Sequence, residues 1–213
     1  MKHFLCITFF LAMAATPLAF AQKWEVGAGV GGAFYNSQTI TNPIGNAEAS
    51  RAAGLAFSAW LGNNSGSFLG GELRYDYENG DLKLSSGGTK VNFASSSNAI
   101  HYDFLLHLGS REATVRPFVA AGAGVKLFTG SGKESAFQPL SNIGLLTKTS
   151  QLKPLVSIGG GVKIKVASNV QLRAEIHDYL TPFPTDVIAP AQGSKVGGWL
   201  NDFVAMAGLS FTF

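Results

Sequence analysis

The chain has 213 residues, a formal net charge of +3 and only 14% charged residues. That length fits one domain, and so small a charge, without a basic cluster or an aromatic stacking platform, argues against nucleic acid as a partner. Beyond the N-terminal segment there is no run of about 18 apolar residues, which excludes a helical membrane span, although 46% of the chain is hydrophobic.

At the N-terminus, Lys2 and His3 give a short basic start, residues 4–15 form an apolar stretch too short to cross a bilayer as a helix, and Ala19-Phe20-Ala21 supplies an A-x-A site. This pattern predicts a cleaved signal peptide over 1–21 and a mature domain over 22–213 that begins at Gln22. The alternative, an uncleaved anchor, is opposed by the well-placed small-residue site. The single cysteine, Cys6, lies inside the apolar stretch, well before the cleavage site. The mature domain therefore carries no disulfide, although an exported protein enters a compartment that permits one.

Along the rest of the chain, apolar and polar residues alternate with the period of a strand. Eight segments show the pattern: 24–35, 51–62, 67–78, 98–109, 114–128, 153–166, 169–180 and 202–213. Each is long enough to cross a bilayer as a tilted strand, which takes about 9–11 residues. Long connectors (36–50, 79–97, 129–152, 181–201) alternate strictly with short ones (63–66, 110–113, 167–168). Short turns on one side and long loops on the other are the mark of a barrel that spans an outer membrane. The expected fold is all-β: an eight-stranded antiparallel transmembrane β-barrel of meander topology, with both termini on the short-turn side. The long connectors, rich in Gly, Ser, Asn and Thr, are expected to be mobile outside loops that tolerate insertion.

The alternation sorts residues into an apolar outer face and a polar inner face. Leu73, Phe104, Leu106, Leu172 and Ile176 fall outside; Glu72, Arg74, Asp76, Asp103, Arg116, Lys163, Arg173 and Glu175 fall inside, with Glu25, Lys126 and Asp202. Eight strands leave room inside for side chains only. Buried charges must be paired, so these residues are expected to form a cross-lumen ion-pair network. Aromatics near strand ends are expected to form two girdles. Trp24, Phe68, Phe211 and Phe213 belong to the short-turn rim; Tyr35, Tyr75, Tyr77, Tyr179, Trp199 and Phe203 belong to the long-loop rim. In the loops, Lys83, Lys90, Lys133, Lys148 and Lys195 could reach anionic lipid head groups, with Glu78, Asp81, Glu134 and Asp186 mixed among them.

Other motifs fail on context. Gly27-Ala-Gly-Val-Gly-Gly32 satisfies G-x-G-x-x-G, but strand residues continue after it where a dinucleotide site needs a helix. Gly130-Ser-Gly-Lys133 lacks the first glycine and the Ser/Thr of a phosphate loop. His101 and His107 share a strand face but stand about 20 Å apart, too far to share a metal. His177 with Glu175 could join a serine as a hydrolase triad, but it points inward and no serine stands two residues away. Neither a cofactor, a metal nor catalysis is expected.

Residues 116–126 (RPFVAAGAGVK), 153–163 (KPLVSIGGGVK) and 173–180 (RAEIHDYL) resemble strands of the OmpA-like and OmpX-like small outer-membrane barrels. The terminal LSFTF, with Leu209, Phe211 and Phe213, is similar to that family's C-terminal assembly signal. The resemblance spans the mature chain and specifies a superfamily. It implies a place in the outer membrane of a Gram-negative-type bacterium, contact with membrane lipid and lipopolysaccharide, and folding by the outer-membrane assembly machinery. It also implies a structural, adhesion or surface-binding role. The peptidoglycan-binding domain that follows the barrel in the archetype is not expected here. Three other readings remain: a barrel that binds a small hydrophobe or forms a narrow channel, a lipid A-modifying enzyme, and a secreted soluble barrel.

Overall fold

The computed structural model describes residues 24–64, 66–135 and 137–213. The expected signal peptide and the start at Gln22 lie outside them. Eight strands close into a barrel: β1 (Trp24–Tyr35), β4 (Gly54–Asn63), β5 (Leu69–Asn79), β8 (Ser95–His107), β9 (Val115–Gly130), β11 (Ser150–Lys165), β12 (Val170–Pro182) and β15 (Trp199–Thr212). Each pairs antiparallel with the next in sequence, so the topology is a meander, as the alternation predicts, with strand ends shifted by a few residues. The ring closes where β1 pairs with β15, from Glu25 opposite Thr212 to Tyr35 opposite Asp202. At its edge Trp24 and Phe213 exchange backbone hydrogen bonds of 3.1 and 2.9 Å, which places both ends on the short-turn side.

The pleat sends alternate residues to opposite faces. On β8, Ile100, Tyr102, Phe104 and Leu106 are exposed while His101, Asp103, Leu105 and His107 are buried. On β12, Leu172 and Ile176 are exposed while Arg173, Glu175, His177 and Tyr179 are buried. The barrel is thus apolar outside and charged inside, the reverse of a soluble protein. A continuous belt of exposed Val, Leu, Ile, Phe and Tyr far exceeds the few hundred Å² of apolar patch that soluble monomers tolerate.

The alternation also corrects two rim residues. Tyr179 is fully buried and Tyr35 is half-buried, both with their hydroxyls on lumen carboxylates. Both lie near strand ends, but their parity points them inward, and parity decides which face a strand residue joins. Trp24, Phe68, Phe211 and Phe213 are exposed at the short-turn end, and Tyr75 and Trp199 toward the other.

The glycine content of β1 has a steric cause. Trp60 points into the barrel, and a Cβ at Gly27 would lie 2.6 Å from its Nε1. A Cβ at Gly208 would lie 2.7 Å from its Cη2. The indole occupies the volume that side chains on β1 and β15 would otherwise need.

The long connectors are not the featureless loops their composition predicts. They contain β2 (Gln38–Asn42), β3 (Gly45–Arg51), β6 (Leu82–Ser86), β7 (Thr89–Phe93), β10 (Gly144–Leu146), β13 (Ile188–Pro190) and β14 (Lys195–Val196). Five of these form a sheet in the order β14-β2-β3-β6-β7, and β10 pairs with β13. Ile40, Ala47, Ala49, Leu82 and Leu84 from the sheet meet Leu140, Ile143, Leu146, Phe183, Val187 and Ile188 in one buried apolar cluster. The connectors thus fold into a cap with its own core. Composition hides it because the apolar residues of its strands, such as Ala47, Ala49, Leu82 and Leu84, stand singly among polar neighbours, and the rest are spread over connectors far apart in sequence.

Two outcomes follow from this architecture. Ile176→Arg, in the middle of β12, should cost about 2–4 kcal/mol in reversible unfolding from lipid vesicles, whereas Leu106→Arg, beside the end of β8, should cost about 0–1 kcal/mol. Equal costs would mean that the belt is not centred where the strands place it. A short insertion at Gly87-Gly88, an exposed hairpin with positive φ at both residues, should leave the gel mobility shift between unheated and heated protein unchanged. The same insertion after Leu84 or Leu146 should abolish protease resistance of the cap.

Candidate functional site: a charged lumen closed by a folded cap

The lumen charges come from strands that place them at every second residue. Glu72, Arg74, Asp76 and Glu78 line β5; Arg173, Glu175, His177 and Tyr179 line β12 across the barrel. Because the barrel is narrow, the two rows interlock. Arg173 grips Glu72 with both terminal nitrogens, at 2.6 and 2.8 Å, and donates through Nε to Glu175 at 2.6 Å. This two-pronged geometry is the strongest form of the carboxylate–guanidinium pair. Arg74 donates to Asp76 at 3.1 Å and Glu72 at 3.3 Å, and it also bonds Glu175. Both guanidinium groups lie over the ring of Trp60, at 5.3 and 4.7 Å, so the indole stabilises cations that have lost their water.

Toward the short-turn end, Glu25 gathers Lys163, Asn64 at 2.9 Å and Trp60 Nε1 at 3.2 Å. Above the arginines, His101 lies 2.9 Å from both Asp76 and Asp103, and Tyr179 donates to Asp76 at 2.9 Å. Near the cap, Lys126 bridges Glu78 at 2.8 Å and Asp202 at 2.6 Å. Arg51 lies 3.5 Å from Glu78 and stacks over Tyr35 at 4.3 Å.

Of the residues expected in the network, the structure brings together Glu72, Arg74, Asp76, Asp103, Lys163, Arg173 and Glu175 as the core of these contacts. Arg116 stands apart. It sits at the short-turn end of β9 and donates to the carbonyl oxygens of Gly109 and Ser67, at 3.2 and 2.8 Å. With Arg111, which bonds the carbonyls of Asn64 and Gly66, it ties neighbouring turns together. The turn carbonyls are the nearest acceptors there, since they have no ladder partner.

Sequence reasoning placed Glu78 on a loop, but it is fully buried. The signal was present, since 78 continues the inward series 72, 74, 76. Arg51 opens the expected segment 51–62, whose parity puts it on the outer face with Leu55 and Phe57; it is missed because it ends β3 of the cap instead, ahead of the start of β4 at Gly54, and turns inward there.

The structure also supplies the serine that sequence spacing did not. Ser157 reaches His177 Nδ1 at 3.3 Å, and His177 Nε2 lies 3.5 Å from Glu175. The serine comes from the neighbouring strand, so no spacing along β12 could reveal it. All three residues are buried in the lumen. Arg74 and Arg173 already hold Glu175, and Asp103 lies 3.3 Å from the Ser157 hydroxyl. The trio is thus enclosed within the charge network of the lumen. Leu209, Phe211 and Phe213 are exposed on the outer face of β15 and beyond its end.

A closed eight-stranded barrel with charges inside, an apolar belt outside, short turns at one end and long excursions at the other is the architecture of a protein that spans an outer membrane. A family model described as the outer membrane protein beta-barrel domain matches residues 4–211, and the chain belongs to that family. Its place is the outer membrane of a Gram-negative bacterium. No curated protein sequence matches the chain. Among solved structures, it is similar to Neisserial surface protein A at 14% identity, with 89% of this chain and 97% of that chain covered and a TM-score of 0.56. It is also similar to OprG of Pseudomonas aeruginosa at 13% identity, covering 90% and 97%, with a TM-score of 0.52. The membrane protein AlkL, at 14% identity, covers 93% and 94% with a TM-score of 0.50. At such identities these likenesses establish the fold.

The ion cluster makes a sharp prediction. Arg173→Ala takes from Glu72 and Glu175 one of the two guanidinium groups they share and should cost about 3–5 kcal/mol in reversible urea unfolding. Combining Arg173→Met with Glu72→Gln should recover a large part of that loss. If the single and double variants unfold alike, water has access to the lumen.

Proposed function

We propose that this protein is a non-enzymatic surface barrel: the membrane domain is an anchor, and the folded cap does the work, in a structural, adhesion or surface-binding role. The observation that carries this reading is a lumen filled by paired charges and closed above by an apolar core. Between the Arg51–Asp202 end of the lumen and Phe183 and Leu200 of the cap lies a cavity of about 10 Å³, room for about one water molecule. That argues against the narrow-channel reading, as the enclosure of Ser157 argues against an enzyme. A cap that buries its own core presents an ordered surface, and ordered surfaces bind with less loss of conformational entropy than loops.

Two measurements test the proposal together. Purified protein in planar bilayers should show no conductance steps. A variant in which residues 38–50 are replaced by a short Gly/Ser turn should keep the barrel's heat-dependent gel mobility but lose the protein's contribution to surface attachment or envelope resistance in cells. Conductance steps in the parent protein, or a cap variant that behaves like the parent in cells, would overturn it.

A further inference from the structure

The β11–β12 ladder ends before either strand does. Its register stops at Val156 opposite Leu180, although β11 runs on beside β9 to Ser150 opposite Thr129 and β12 runs on beside β15 to Pro182 opposite Trp199. The N–H of Lys165 points to the start of β9 and that of Val166 to the start of β12, so the even-numbered residues of β11 face β12. The next pair that should exchange hydrogen bonds is Pro154 with Pro182, and the one after it is Leu152 with Pro184. Proline has no N–H, and the Pro184 carbonyl already accepts from Val187 and Ile188, at 3.1 and 3.0 Å. The segment that follows β12, residues 183–187, therefore has no ladder to join. A clasp of side chains holds it instead. Thr147 and Thr149 donate through their hydroxyls to the Asp186 carbonyl, at 2.5 and 2.7 Å, and Gln151 accepts from the Asp186 N–H at 3.0 Å. One backbone bond, from the Thr147 N–H to the Val187 carbonyl at 3.0 Å, completes the clasp. Phe183 and Val187 are buried in the cap core, while Thr185 and Asp186 are exposed. A few bonds at exposed positions open more readily than a ladder does.

Beneath this segment lies the cavity of about 10 Å³, with Phe183, Pro184 and Leu200 on one side and Arg51 and Asp202 on the other. Here the upper lumen holds donors that nothing accepts. Arg51 Nη2 has no hydrogen-bond partner, and neither has the hydroxyl of Thr181, which stands opposite Leu200. Both residues are buried, Arg51 at 7% exposure and Thr181 at 0%. Lys153 stands opposite Lys126, shares the inward parity of Leu155 and Ser157, is half-buried, and has no ion-pair partner among the described residues. Arg51, Lys126 and Lys153 thus face Glu78 and Asp202, so the cations outnumber the carboxylates. Asp186 adds an exposed carboxylate, but it is carried on the segment and leaves with it. Buried donors without an acceptor are rare in folded proteins. We propose that residues 183–187 are a lid, and that lifting it opens a site for one small anionic group, a carboxylate or a phosphate, bound by Arg51, Lys153 and Thr181. The closed cavity has room for about one water molecule, so the anion enters only with the lid raised. The paired layer of Arg74 and Arg173 lies below and keeps the lumen plugged. Such a site is independent of the role given to the cap's outer surface.

The test uses the full mature chain in phosphatidylcholine nanodiscs, and heat-dependent gel mobility checks that each barrel is folded. Hydrogen exchange reads the lid. In the T147V/T149V/Q151L variant, exchange over 183–188 should rise at least about tenfold, while exchange over 156–160, inside the ladder, should stay as in the parent. T149V alone, a milder change, should give part of that rise. Equilibrium dialysis with inorganic phosphate and with acetate reads the site. The triple variant populates the raised lid more often, so it should bind one of the two anions at least about tenfold more tightly than the parent. Adding K153Q and T181V should abolish that gain. The anion that binds tells which group the site takes. Unchanged exchange over 183–188 in both clasp variants overturns the lid. Binding of neither anion, or binding that is indifferent to Lys153 and Thr181, overturns the site. Either failure would leave the conductance and cap-replacement results intact.

Discussion

In hydrocarbon no water is present to satisfy a backbone N–H or C=O, so a strand can cross a membrane only within a ladder that has no free edge. The pairing of β1 with β15 meets that demand, and much else in the structure follows from it. Closing a ring of eight strands fixes a narrow diameter. The narrow diameter turns the interior into a space that side chains must fill completely, and it sets how large each may be. Trp60 can enter only because Gly27 and Gly208 leave it room. Arg74 and Arg173 can share Glu175 only because opposite walls lie within the reach of their side chains.

The charged interior also protects the fold's register. Sliding one strand by one residue would turn carboxylates and guanidinium groups toward lipid and leucines toward ions. A neutral, apolar lumen would give much weaker discrimination, since both faces would then look alike. Buried ion pairs contribute little net stability when complete and cost several kcal/mol when broken, so their effect here is to penalise wrong pairings more than to strengthen the right one.

The lumen and the cap are joined through a few side chains that belong to both. Lys126 lies in the upper ion cluster, and Phe128, two residues further along β9, is buried in the cap core. Arg51, the last residue of β3, reaches down to Glu78 while its guanidinium lies between Tyr35 and Phe128. Cap and barrel therefore meet through aromatic and charged contacts and not through a flexible neck. A surface held in this way keeps the orientation that the barrel gives it, which suits binding at a fixed height above the membrane.

The sequence by itself determined the barrel. Alternation over 69–79 or 170–182 follows from a local rule of the strand, and a reader needs no other part of the chain to see which residues face lipid. The alternation of long and short connectors then settled the meander and the side on which the ends lie. Parity alone placed Glu72, Arg74, Asp103 and Glu175 inside. Only the tertiary structure decided which charge meets which across the lumen, because Arg74 and Arg173 each reach a carboxylate on a strand about a hundred residues away and the choice depends on stagger around the ring. It also decided that Arg116 serves the turns and that Ser157 joins His177 from another strand. Above all it decided the cap. Short strands such as β2 and β14 carry too few residues for a periodic signal, and their apolar side chains find a core only when connectors far apart in sequence are brought together by the closed barrel beneath them.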